Sequence, residues 1–152
     1  MPDAGDEAPD FSLPSTNGDL RLSDLLRTGR VLLAFYFEDA TPTCTTEIAA
    51  LKDAYEPIRE LGAEVIAVSA DGLESHRAFA ERLGGVPFAL ASDADLSVAQ
   101  AYGALAADEP RRSRRALFVI EQDGTIAYAA NPFSPNSLPQ FEGALRALGL
   151  EL

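Results

Sequence analysis

Cys44 is the one thiol in this 152-residue chain, and a thiol can combine nucleophilic attack with reversible oxidation. It follows an apolar run at residues 31–37. It also opens a stretch in which Ile48, Leu51, Tyr55 and Ile58 recur at three- to four-residue spacing as far as Leu61, with Gly62 as a stop. That pattern predicts a helix of about four turns with the cysteine at its start. Unpaired N–H groups and the positive end of the helix dipole favour thiolate over thiol there, so the position suits a reactive cysteine. Thr41-Pro42-Thr43 reads as a loop that places a hydroxyl three residues upstream and a proline suited to a turn or the first helical position, and Glu47 follows one turn downstream. The bland alternative is a small, buried, apolar cysteine. Spacing alone leaves both readings open.

The elements that would position this thiol are legible in the pattern. Asn17-Gly18 marks a turn, and with the segment before it predicts a small N-terminal hairpin. The run at 31–37 reads as a central strand buried on both faces, and 64–69 as a second such strand. Residues 73–83 form an amphipathic pattern ended by Gly84-Gly85, 88–91 a short strand and 96–102 a short helix. Residues 116–120 and 125–129 read as a hairpin across Gln122-Asp123-Gly124, and 138–148 as a closing helix. The order implies one domain over residues 1–152, an α/β sandwich of thioredoxin-like type with a central mixed sheet and an N-terminal β-hairpin extension.

Composition narrows the partners. Twelve basic against 24 acidic residues give a net charge of -12, which repels nucleic acid and anionic membranes and leaves small molecules and proteins. One cysteine excludes an intrachain disulfide, and one cysteine with one histidine, His76, excludes a Cys/His zinc site, so no metal and no cofactor are expected. The first residues lack a basic start followed by an apolar stretch, and the run at 31–37 is too short to span a bilayer, so the protein reads as cytoplasmic. His76 reads as a surface residue between Ser75 and Arg77. Adjacent Glu38 and Asp39 point to opposite faces of an extended segment and read as loop charges. Arg111, Arg112 and Arg114 read as a solvated basic loop, whereas Arg115 stands at a strand start.

The segment Phe35-Tyr36-Phe37-Glu38-Asp39-Ala40-Thr41-Pro42-Thr43-Cys44-Thr45-Thr46-Glu47 resembles the active-site segment of the peroxiredoxins (AhpC/TSA), most of all the bacterioferritin comigratory protein or Q-type subfamily. Ala8-Pro9-Asp10-Phe11 resembles the start of that family, and residues 115–124 resemble its Arg-x-x-Phe-x-Ile-Asp-x-x-Gly segment. The resemblance implies a thiol peroxidase with Cys44 as peroxidatic nucleophile and Thr41 as the hydroxyl that orients the peroxide. It makes Arg115 the cation that stabilises thiolate and developing oxyanion, Glu47 the residue that positions Arg115, and Pro42 a supporting residue. Two positions depart from the pattern. Phe37 replaces the proline expected seven residues before the cysteine, offering apolar cover but a free N–H and an unrestricted φ. Ala49 stands where many relatives carry a resolving cysteine. The resemblance therefore implies a one-cysteine variant that reduces hydrogen peroxide and small organic hydroperoxides. It would be recycled by an external thiol such as thioredoxin, glutaredoxin with glutathione, or another low-molecular-weight thiol, and act as a monomer or weak homodimer. The alternative is a non-enzymatic redox sensor or chaperone-like protein that uses slow oxidation of Cys44.

Overall fold

Apolar strands with no polar alternation need cover on both faces, and the architecture supplies it. A computed structural model describes residues 2–106, 112–134 and 137–149. In chain order it contains β1 (Ser12–Leu13), β2 (Leu20–Arg21), α1 (Leu22–Leu25), β3 (Arg30–Phe35), α2 (Pro42–Glu60), β4 (Ala63–Ser69) and α3 (Leu73–Arg82). There follow β5 (Ala89–Ser92), α4 (Ser97–Ala101), β6 (Ala116–Ile120), β7 (Ile126–Ala130) and α5 (Leu138–Ala147). β1 and β2 form the antiparallel N-terminal hairpin, and the main sheet has the order β5-β4-β3-β6-β7. β3 runs parallel to β4 and antiparallel to β6, which makes the sheet mixed and β3 central, as the sequence predicts. α2, at 19 residues, is about a turn longer than expected because it already begins at Pro42.

Side-chain alternation along the inner strands divides the core. Leu32, Ala34 and Tyr36 face one apolar layer, shared with Cys44, Ile48 and Leu51 of α2, Phe79 of α3, and Ala144 and Leu145 of α5. Val31, Leu33 and Phe35 face the other, shared with Phe11 and Leu13 of the N-terminal segment, Val98 and Ala99 of α4, and Tyr102. Cys44 thus belongs to the layer between the sheet and α2. Among the described residues no helix is long and apolar enough to cross a membrane.

Candidate active site

The chain leaves β3 at Phe35, and the N–H of Tyr36 still donates to Val68 O (3.0 Å), so the strand direction persists to the edge of the site. The loop then turns at Ala40, whose φ of 65° lies in the left-handed region, a conformation that costs a non-glycine residue about 1 kcal/mol or more. Thr41 returns to extended backbone as the N-cap of α2, and Pro42 takes the first helical position, where its missing N–H costs nothing. Helical pairing begins with Thr45 N–H to Thr41 O (2.8 Å), so the N–H groups of Thr43 and Cys44 stand ahead of the ladder. Cys44 is completely buried, and its sulfur accepts a hydrogen bond from the N–H of Phe37 (3.3 Å). The two readings of the lone cysteine coincide here, because it is both a core residue and the thiol in the first turn of a long helix.

Thr41 Oγ1 donates its hydrogen to Glu38 O (3.1 Å), which leaves the oxygen's lone pairs to accept from another molecule. Glu47, on the same side of α2 as Cys44, is also buried, and neither carboxyl oxygen has a hydrogen-bond partner. Arg115 sits immediately before β6 with its Nε buried and unpartnered. Burial, reinforced by the charge of Cys44 and opposed by the Arg115 guanidinium, holds the Glu47 carboxyl well above its ordinary value of 4.5. Arg115 therefore acts on Glu47 through space, with no hydrogen bond between them. The folded chain binds this proton more tightly than the unfolded chain, so the associated stability is complete below 4.5 and declines as pH rises toward the elevated folded value. Glu47→Gln should be more stable than the wild type at neutral pH, with the gap opening as pH rises above 4.5 and levelling off above the elevated folded value. Urea midpoints of both proteins across pH check this, and a pH-independent difference would refute it.

Three sequence expectations are corrected here. His76 is no surface residue: it is fully buried, with Nδ1 2.8 Å from Asp39 Oδ2 and Nε2 3.0 Å from Ala91 O. Asp39 is no free loop charge, since its side chain is 5% exposed and accepts from Tyr36 Oη (2.6 Å) and Ser75 Oγ (2.8 Å). Burial and the Asp39 carboxylate keep the Tyr36 phenol well above its ordinary range, so it remains a donor. Arg112 and Arg114 are not merely solvated. Arg112 pairs with Asp71 (2.6 Å) and Glu38 (3.2 Å), while Arg114 Nε donates to Asn131 Oδ1 (2.6 Å); Arg111 lies outside the described residues. Burial pushes the Asp71 carboxyl up, but hydrogen bonds from Arg112, Ser69 and the Asp39 N–H outweigh it and hold Asp71 below the usual range. The loop of residues 38–41 is thus tied to α3 through Asp39 and to Asp71 through Arg112. A sequence signal for His76 existed: with Phe79, Ala80 and Leu83 it completes an i, i+3, i+4, i+7 stripe, and those residues face the core.

Residues 4–129 match the AhpC/TSA family. A chloroplastic 2-cysteine peroxiredoxin of Chattonella marina var. antiqua is 36% identical over 135 residues, spanning 82% of this chain and 68% of its own. Peroxiredoxin Q of Triticum aestivum is 33% identical over 127 residues, 84% of this chain, which spans 58% of that longer protein. The crystal structure of Peroxidoxin BcpB from Mycobacterium tuberculosis superposes with a TM-score of 0.87 at 31% identity over 97% of both chains.

Proposed function

Because the chain belongs to the AhpC/TSA family and is a thiol peroxidase with a thioredoxin-like fold, we propose that Cys44 is its peroxidatic residue and that an external thiol completes each turnover. The observation that carries this reading is the placement of the chain's single thiol in the first turn of α2, ahead of the helical ladder. In the first half-reaction the Cys44 thiolate attacks one peroxide oxygen. The S–O bond forms as O–O breaks, sulfur loses two electrons, and the departing oxygen takes a proton and leaves as water or alcohol. Thr41 accepts the hydroperoxide O–H and so orients it for in-line attack. Arg115 and the Cys44 N–H meet the charge developing on the oxygens. Glu47 lends Arg115 a nearby carboxyl, and Phe37 packs against the apolar cluster that contains Cys44.

In the second half-reaction a thiol condenses with the sulfenic acid to a mixed disulfide and water, and a second thiol releases Cys44. The reductant is thioredoxin, glutathione with glutaredoxin, or another small thiol. A reducing, cytoplasmic setting is part of the same proposal, because each turnover consumes an external thiol. Complete burial of Cys44 favours hydrogen peroxide and small hydroperoxides over bulky ones. Mass spectrometry after treatment with excess peroxide in the absence of thiol should show sulfenic, then sulfinic and sulfonic acid at Cys44. An unmodified Cys44 would overturn the proposal. A peroxide-consumption assay across thioredoxin, glutaredoxin with glutathione, and small thiols then identifies the reductant. Oxidation of Cys44 no faster than that of a free thiol would instead favour a redox sensor.

A further inference from the structure

We infer that the backbone N–H of Phe37 is a catalytic hydrogen-bond donor to the Cys44 sulfur, and that Ser113 positions it. This rests on Cys44 being the peroxidatic residue. The N–H lies 3.3 Å from Sγ, and it exists because this position is phenylalanine; a proline there would have no hydrogen to donate. The donor is held from its other end. A peptide unit is planar and trans, so the Tyr36 carbonyl points away from the Phe37 N–H. That carbonyl accepts from Ser113 Oγ at 2.6 Å, with Ser113 itself 1% exposed. The preceding N–H, that of Tyr36, is fixed to Val68 O. The peptide joining Tyr36 to Phe37 is therefore clamped between a buried hydroxyl on one side and the reacting sulfur on the other, two residues beyond the end of β3.

Donation to sulfur favours the anion over the thiol but lowers the nucleophilicity of that anion, and the two effects have different pH dependence. If the bond is worth about ten-fold in thiolate population, a Brønsted coefficient of about 0.4–0.5 makes each thiolate about three-fold less nucleophilic. Removing the donor should therefore slow oxidation about three-fold where the thiol is mostly protonated and speed it about three-fold where it is fully ionised. General loss of packing would slow it at every pH.

The test replaces Phe37 in the full chain by its α-hydroxy acid analogue, phenyllactic acid, which converts the N–H to an ester oxygen and keeps the side chain. The rate of Cys44 oxidation by hydrogen peroxide is followed across pH beside the wild type, Ser113→Ala and Ser113→Thr. The inference expects the ester and Ser113→Ala profiles to cross that of the wild type, with the conservative Ser113→Thr, which keeps the hydroxyl, rescuing the wild-type pH dependence. Superimposable ester and wild-type profiles, or an ester profile that is slower by one factor at all pH, overturn it. If the ester chain does not fold, the crossing is read from Ser113→Ala, and its absence there has the same force. A wild type that peroxide does not oxidise at all would instead remove the peroxidatic reading on which this inference rests.

Discussion

Replacing Arg115 by alanine is expected to slow oxidation of Cys44 by hydrogen peroxide about 10²–10³-fold, the usual cost of deleting one preorganised donor to a developing oxyanion. The deficit should persist at a pH where the thiol is fully ionised. A free cysteine of pKa about 8.5 is already a few per cent thiolate near neutrality, so complete ionisation yields only about 30-fold. Any larger share of the acceleration has to come from groups that meet the transition state. Arg115 is suited to this because its Nε is buried without a partner, and its charge lies near enough to Glu47 to oppose the effect of burial there. Thr41→Val should show the same pH-independent deficit through loss of the acceptor that orients the peroxide. Rapid-quench oxidation followed by mass spectrometry of Cys44 measures both variants. A deficit that disappears at high pH would mean Arg115 acts only on the thiolate population, in contrast to the crossing profile expected for the Phe37 donor.

The largest stability effect is expected at a residue remote from the chemistry. His76→Ala should cost about 3–5 kcal/mol, from the cavity left by a buried ring and from the hydrogen-bonding partners left unsatisfied beside it, against a total that for a domain is about 5–15 kcal/mol. His76 is fully buried and spans Asp39 Oδ2 and Ala91 O, so its removal opens a cavity and strips a 5%-exposed carboxylate of its nearest ring nitrogen. The loss falls on the loop that leads into Cys44 as well, because Asp39 ties that loop to α3 and Tyr36. The shift in urea midpoint at unchanged slope measures the cost. A change below about 1 kcal/mol, the range of an exposed ion pair, would refute a structural role for this pair.

Element types were readable because each follows from a local period. The apolar run before the cysteine had to be a doubly covered strand and the three- to four-residue spacing after it had to be a helix, although that helix begins at Pro42, ahead of the start expected at Cys44. One thiol and no second cysteine are facts of the chain itself, and they already require an outside reductant for any cysteine-based turnover. The Asp39–His76 pair was not readable, since its members lie on a loop and on α3, and only the parallel pairing of β3 with β4 brings those elements together. Reading His76 from its neighbours Ser75 and Arg77 failed because exposure on a helix follows the stripe at i+3 and i+4, not adjacency. The sequence by itself determined that the chain carries one thiol and that a free N–H, in place of the proline of the resembled pattern, precedes it at Phe37. Only the tertiary structure decided that this N–H points at the sulfur, because its direction depends on Ser113, distant in the chain, taking the other side of the same peptide.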